Sequence, residues 1–336
     1  MRVGIIGVGR AGRIHLDAWR TVDGVEVAAI ADRAPALRRW ARETGLRSYS
    51  DPLDMIARES LDAVSICTPP IYHAQVAIAC LERNLDVLCE KPLAVTGHDA
   101  LRMLRTAARM QRHLVLATKF RHVPDLVRAR ELIAAGAIGE PIAFEIDFSS
   151  MVDMSTRWNS RRALAGGGVV IDNGCHAFDI VAFLFGTVAR VHATRLKPVQ
   201  AIAVEDSATV LVAASGGLVG RIDLSWSLAT GRETYVTIYG SAGTIEVGWR
   251  GSRLRPANGP AEPIGPGYDK GEAHRLMVAA FRDLVAGKAP PWISPGEMLR
   301  TIAAVEAAYR SLRSGGWTAV DMLGLRDRDA RHEARA

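Results

Sequence analysis

The sequence predicts an α/β protein in two parts: a doubly wound parallel sheet followed by an α+β region with an antiparallel sheet. Three observations predict it. Residues 1–120 alternate short apolar runs with helical segments. Such repeated βα units form parallel sheets covered on both faces. Beyond residue 122 the period changes to two, apolar against polar, as in strands with one buried face. A glycine pattern, G-x-G-x-x-G, stands where the first run meets the first helix.

In chain order, strands are expected at 2–6, 25–31, 61–67, 85–89 and 114–118. Helices are expected between them at 11–22, 35–44, 72–83 and 97–111, the second opened by Pro35. Helices follow near 124–135 and 174–185. Alternating strand runs lie at 141–149, 188–196, 208–213, 218–226, 233–239 and 244–247, with glycine turns at 215–217 and 240–243. Residues 251–268 are rich in Gly and Pro and read as a surface loop, before two helices at 271–286 and 296–313. The expected division is 1–122, 123–325 and a charged tail, 326–336, that frays.

Composition narrows the function. No apolar run of about 18 residues suggests a membrane span. The opening run, Met1 to Gly7, is too short for the core of a signal peptide, so the cytoplasm is the expected location. The net charge is +6, but bases are interspersed with acids, which argues against a nucleic-acid partner. The four cysteines form no CxxC pair and no metal-ligand spacing, so they read as buried thiols and no metal is expected. Of the 42 basic residues only five are lysines: Lys91, Lys119, Lys197, Lys270 and Lys288. Lysine loses its proton at accessible pH and arginine does not, so a lysine at a chemically suggestive place carries information.

The stretch Gly7-Val8-Gly9-Arg10-Ala11-Gly12 follows a strand and opens a helix. The first glycine permits the tight turn, the second lets backbone approach a pyrophosphate, and the third packs helix on strand. Asp32 ends the second strand 20 residues after Gly12, where an acid would hold a ribose diol. The pattern therefore predicts a dinucleotide. Asp32 would repel a 2′-phosphate and favours NAD; Arg33 beside it leaves NADP open.

Ligands of such sheets bind beyond the carboxyl ends of the strands. Thr68-Pro69-Pro70 with His73, and Glu90-Lys91-Pro92, each follow a strand and are expected at the nicotinamide end. A third stretch runs from Gly166-Gly167-Gly168 to Asp172, His176 and Asp179 and enters an apolar helix. Asp172 and His176 are four apart and share one helix face. Weaker candidates for substrate are Lys119 and Arg121 after the last parallel strand, Arg157-Trp158-Asn159 ahead of the glycines, and His274.

Together, Glu90-Lys91-Pro92 and the Gly-Gly-Gly…Asp172-x-Gly-x-His176 run resemble the Gfo/Idh/MocA family of dehydrogenases over nearly the whole chain. The resemblance implies a Rossmann domain followed by a large open, mainly antiparallel sheet. It implies a catalytic group of Lys91, Asp172 and His176, a cis Lys91–Pro92 bond, and hydride transfer between NAD(P) and a hydroxyl or carbonyl carbon of a polyol, sugar or sugar derivative. It further implies a homodimer or homotetramer formed through the open sheet face. Elementary chemistry agrees: a histidine can take the hydroxyl proton, and an ammonium stabilises the alkoxide. Two other readings stay open: an NAD-using glycosidase or lyase with no net redox change, and a catalytically silent sugar or dinucleotide sensor.

Overall fold

A computed structural model describes residues Met1–Met322; the charged tail expected at 326–336 lies outside the described residues. The chain begins with β1 (Arg2–Ile6), α1 (Arg10–Arg20), β2 (Glu26–Ala31), α2 (Pro35–Glu43), β3 (Arg47–Tyr49), α3 (Pro52–Arg58), β4 (Ala63–Ile66), α4 (His73–Leu81), β5 (Asp86–Cys89), α5 (Gly97–Met110) and β6 (Leu114–Leu116). It continues with α6 (Pro124–Ala134), β7 (Pro141–Ser149), α7 (Arg162–Ala165), α8 (Val169–Asp172), α9 (Gly174–Phe185), β8 (Val188–Arg195), β9 (Ser207–Ala214), β10 (Val219–Ser225), β11 (Thr234–Gly240), β12 (Gly243–Gly248), β13 (Ser252–Pro256) and β14 (Glu262–Gly265). Last come α10 (Lys270–Val285), α11 (Pro295–Ser314) and β15 (Thr318–Ala319). Among the described residues no single helix is long and apolar enough to cross a membrane.

Two compact units result, the first made of Met1–Lys119 with Lys270–Met298, the second of Phe120–Asp269 with the chain from Leu299. A single cut at 122/123 was expected, so the return of Lys270–Met298 to the first unit differs from that expectation. The reason is an apolar helix face. In α1, His15, Leu16, Ala18 and Trp19 are buried, and α10 lies along it with Phe281 edge-on to Trp19 at 6.2 Å. Burying such a face stabilises by roughly 1.5–3 kcal/mol per large side chain, which draws a distant helix back.

The first unit holds a six-stranded parallel sheet in the order β3-β2-β1-β4-β5-β6. β4 and β5 are buried at every position and β1 from Val3 onward, as a sheet covered on both faces requires. Order reverses between β1 and β4, and ligands of doubly wound sheets bind at that switch point. Two elements here escaped the sequence reading. β3 is three residues long, too short to show a period. Its neighbour α3 starts on Asp51, whose carboxylate accepts the Leu53 N–H, followed by Pro52.

The second unit holds a nine-stranded sheet, β14-β13-β12-β11-β7-β10-β9-β8-β15. It is antiparallel except where β7 and β10 run parallel. One side chain set, including Phe144, Ile146, Val210, Val212, Ile222, Leu224, Val236 and Ile238, is buried. The opposite face carries ion pairs: Arg221 and Arg232 with Glu145, Arg232 with Asp147, and Arg253 and Arg255 with Glu246. The stretch 251–268, expected as a loop, contains β13 and β14, because pairing with β12 supplies partners that glycine and proline content obscured.

Within this unit Arg121 and Asp179 form a buried pair, Nη2 and Nε lying 2.8 and 2.9 Å from Oδ1, with neither side chain more than 4% exposed. Removing one partner of a buried pair strands the other charge, at a cost of about 3–5 kcal/mol. Asp179→Ala should therefore lose about that much stability in urea denaturation, while the double change Arg121→Met with Asp179→Leu recovers most of it. A loss from Asp179→Ala below about 1 kcal/mol would contradict the assignment.

Candidate active site

The first unit shapes a dinucleotide cradle at the β1–α1 turn. Gly7 has φ +87°, and a Cβ there would lie 2.9 Å from the Cys67 carbonyl carbon. Beside Gly9 no atom lies within 4 Å of where a Cβ would project, so the backbone face is open to a ligand. No side chain caps α1, which leaves the first amides and the positive end of the helix dipole for an anion. Arg10 is exposed at that end and Ala11 half-buried.

Asp32 secures the turn. Its Oδ2 accepts the Val8 N–H and its Oδ1 the Ala34 N–H, both at 2.8 Å. Each carboxylate oxygen keeps a further lone pair, so a ribose diol can still be received. The residues present therefore fit a dinucleotide. Arg33 is exposed, with its guanidinium 5.1 Å from the Tyr72 ring centroid. Thr68 and Pro69 are half-buried just beyond β4, and Pro70 is buried.

His73 occupies a different environment from the one expected of a cofactor contact. It is fully buried, with Nδ1 2.9 Å from the Pro92 carbonyl and Nε2 2.8 Å from the Thr68 carbonyl. Burial lowers its pKa despite these acceptors. The neutral ring has one N–H and donates to one carbonyl at a time. The ring ties together the loops that follow β4 and β5.

Beyond β5, Lys91–Pro92 is the cis bond that the family resemblance implied. Glu90 Oε2 accepts the Lys91 N–H at 3.0 Å, and Oε1 lies 3.0 Å from His15 Nε2. Burial alone would raise the Glu90 pKa. The hydrogen bond from His15, with the charge of Lys91, prevails and holds it well below the usual carboxylate range. His274 donates from Nδ1 to the Lys270 carbonyl at 2.7 Å and is edge-on to His15 at 5.7 Å. One ligand-type atom each from His15, Glu90 and His274 lie within 4.8 Å of one another. Lysines supply the positive charge around this carboxylate, since Lys91 and Lys270 both interact with Glu90. Lys119 ends the first unit and interacts electrostatically with His274.

The second unit presents Asp172 and His176, both half-buried, at the corner where α8 passes into α9. The His176 ring stands edge-on to Phe120 at 5.1 Å and to Phe148 at 6.4 Å. These rings continue into Tyr235, Tyr268 and half-exposed Trp249, an aromatic wall around the histidine. Asn173 Nδ2 donates to the Phe148 carbonyl at 3.2 Å and fixes the corner to β7.

Glu205, which the sequence reading missed, holds the start of α8. Its Oε1 accepts the Gly168 N–H at 3.0 Å, the Val170 N–H at 3.2 Å and the Tyr309 hydroxyl at 2.6 Å. A Cβ on Gly168 would fall 2.1 Å from the Glu205 carbonyl oxygen, so the glycine run is a matter of close approach. No local pattern could have announced a partner 37 residues away. Of the weaker candidates, Arg157 and Trp158 are exposed and Asn159 half-buried, in and beside the 3-10 turn Trp158–Ser160. Arg121 differs from its expectation as a substrate contact: its guanidinium is buried against Asp179.

A model of an oxidoreductase family with an NAD-binding Rossmann fold matches residues 1–118, and a GFO/IDH/MocA C-terminal domain model matches 126–246. The chain belongs to the Gfo/Idh/MocA family. It is an NAD-dependent dehydrogenase of that family. D-apiose dehydrogenase of Paraburkholderia graminis is 31% identical over 336 residues, covering 93% of this chain and 87% of that one. The rhizopine catabolism protein MocA of Rhizobium meliloti is 32% identical over 315 residues, covering 93% and 95%. Among solved structures, an oxidoreductase from Agrobacterium radiobacter in complex with NAD+, L-tartaric acid and magnesium superposes with a TM-score of 0.85 at 26% identity, covering 95% of this chain and 98% of that one.

Burial pushes His274 and His122 down to about 4. The unfolded chain takes up those protons near pH 6.5 and the folded chain resists them. Folding stability should therefore be fully present above about pH 6.5 and fall as pH drops toward 4. Chemical denaturation at pH 7, 6 and 5 checks this, and His274→Gln should flatten the decline. Stability unchanged between pH 7 and 5 would contradict the neutral, buried state of these rings.

Proposed function

We propose that this dehydrogenase oxidises a secondary hydroxyl of a polyol, sugar or sugar derivative, or reduces the corresponding carbonyl, with Lys91, Asp172 and His176 as its catalytic residues. The observation that carries the reading is half-buried His176, its ring edge-on to Phe120, four residues beyond half-buried Asp172 at the α8–α9 corner. The names of the relatives support the substrate class: one acts on D-apiose, and a structural neighbour holds L-tartaric acid.

Bound NAD would supply the hydride acceptor for the carbinol carbon. The His176 imidazole takes the hydroxyl proton, which an unperturbed histidine can hold near neutral pH. The Lys91 ammonium donates a hydrogen bond to the developing alkoxide. Asp172 orients the histidine or receives a neighbouring substrate hydroxyl. Asp32 reads the ribose diol and sets the preference for NAD over NADP, with Arg33 beside it. Gly7, Val8, Gly9, Arg10, Ala11 and Gly12 would hold the pyrophosphate, and Thr68, Pro69, Pro70, Glu90 and Lys91 would border the nicotinamide. Trp158 offers a flat face to a sugar ring, flanked by Arg157 and Asn159. The open sheet face, with its paired charges, is the proposed surface for a homodimer or homotetramer. Light scattering showing a monomer at micromolar concentration would refute that assembly.

The direct test follows absorbance of reduced nicotinamide with NAD or NADP and a panel of inositols, aldoses and sugar acids. A sustained rise with one class supports the reading; no net reduction with any of them counts against it. Lys91→Ala should lower turnover by about 10²-fold or more with dinucleotide binding largely kept, and an effect under about threefold would remove Lys91 from the mechanism. Asp32→Ala should weaken NAD by about tenfold or more and NADP far less, since a charged hydrogen bond is worth about 1.5–3 kcal/mol. Equal losses for the two cofactors would show that Asp32 does not read the ribose.

A further inference from the structure

We propose that Glu90 is the positioning residue of Lys91, pinning its backbone beside a buried carboxylate, and that a buried relay through His15 fixes Glu90 in turn. The inference rests on the reading of Lys91 as catalytic. The two Glu90 oxygens have separate partners: the Lys91 N–H at Oε2 and His15 Nε2 at Oε1, each at 3.0 Å. Behind His15, Nδ1 is 3.3 Å from Ser65 Oγ, and Ser65 Oγ accepts the Trp19 Nε1–H at 2.8 Å.

That chain of partners assigns the protons. Ser65, already accepting from Trp19, has one proton to give, and gives it to His15 Nδ1. His15 then carries its own proton on Nε2 and donates it to Glu90. Every group in the chain is satisfied by this one tautomer. Trp19, His15 and Ser65 are all fully buried. The relay therefore runs from β4 through α1, the helix that opens on the dinucleotide turn, to the end of β5.

Packing alone does not call for a carboxylate in this place. Buried charge networks are often replaceable by apolar groups of similar volume without loss of stability. The charge does have an electrostatic use. Lys91 favours the ionised form of Glu90, and the interaction is mutual, so Glu90 favours the protonated form of Lys91. An ammonium is the form needed to stabilise an alkoxide.

The test compares full-length Glu90→Gln, Glu90→Asp, His15→Ala and Lys91→Ala with the parent enzyme, using the substrate found in the absorbance panel. Glu90→Gln keeps the volume and removes the charge. It should lower kcat about tenfold or more while KM and the dissociation constant for NADH stay within about threefold. The alkaline limb of its kcat–pH profile should move to lower pH, because Lys91 loses its proton sooner. Glu90→Asp should restore the position of that limb, and His15→Ala should change kcat in the same direction as Glu90→Gln by a smaller factor. An impaired Lys91→Ala beside a Glu90→Gln with unchanged kcat and limb would overturn the positioning role alone. A fully active Lys91→Ala would overturn both readings. A Glu90→Gln whose kcat loss follows a collapse in melting temperature, with the limb unmoved, would reduce Glu90 to a structural residue. One equivalent of zinc in the purified parent enzyme, lost in Glu90→Gln by elemental analysis, would also overturn the proposal.

Discussion

Backbone amides at the start of a helix must find an acceptor, and the two units meet that constraint in opposite ways. In the first, α1 begins on Gly9 with no side-chain cap and open space beside it. Asp32 accepts the Val8 amide and steadies the turn but leaves the helix end available. In the second, Glu205 takes the Gly168 and Val170 amides itself, closing the start of α8. One helix end is left open, as the proposed cofactor phosphate would need, and the other is completed by the protein where the chain turns at Asp172 and His176. An uncapped end suits a cofactor that brings its own negative charge. A closed end suits side chains that must hold a fixed position, as the proposed roles of Asp172 and His176 require.

The same economy governs buried charge. Glu90, Asp125, Asp179 and Glu205 are carboxylates with little or no exposure of the acid group, and each has a specific duty. Asp125 accepts the Ser252 hydroxyl at 2.5 Å and the Gly267 N–H at 2.8 Å, fixing the segments around β13 and β14. Asp179 neutralises Arg121. Buried polar groups left unmatched cost about 1–3 kcal/mol each, and in Asp125 and Glu205 one oxygen carries all the bonds while the other, Asp125 Oδ1 and Glu205 Oε2, is buried without a hydrogen-bond partner. Arg221, Arg232, Arg253 and Arg255 form ion pairs on the open sheet face instead, where each pair contributes little.

The fold was legible wherever the signal is local. Gly7 to Gly12 announced the turn because steric demands fall on adjacent residues, and the buried runs of β1, β4 and β5 announced a covered parallel sheet. Lys91, Asp172 and His176, the proposed catalytic residues, were read from short motifs. What stayed hidden depends on distant partners. Glu205 looks like any acid until α8 is placed against it. α10 reads as another helix of the second part until the exposed flank of α1 requires cover. β13 and β14 hide in a stretch of Gly and Pro because edge strands take their order from a neighbour. His73 and Arg121 illustrate the converse: suggestive residue types at suggestive places, whose surroundings in the fold are carbonyls and a carboxylate.

The account stands or falls on direct hydride transfer from a carbinol carbon. The measurement that reaches it is the fate of deuterium placed on that carbon of the best polyol or sugar substrate, followed by NMR of cofactor and product. The account predicts deuterium in the dihydronicotinamide, a primary isotope effect on turnover when hydride transfer limits it, and loss of the transfer in Lys91→Ala. Deuterium returned to the product with no reduced cofactor accumulating, or released to water, would contradict it.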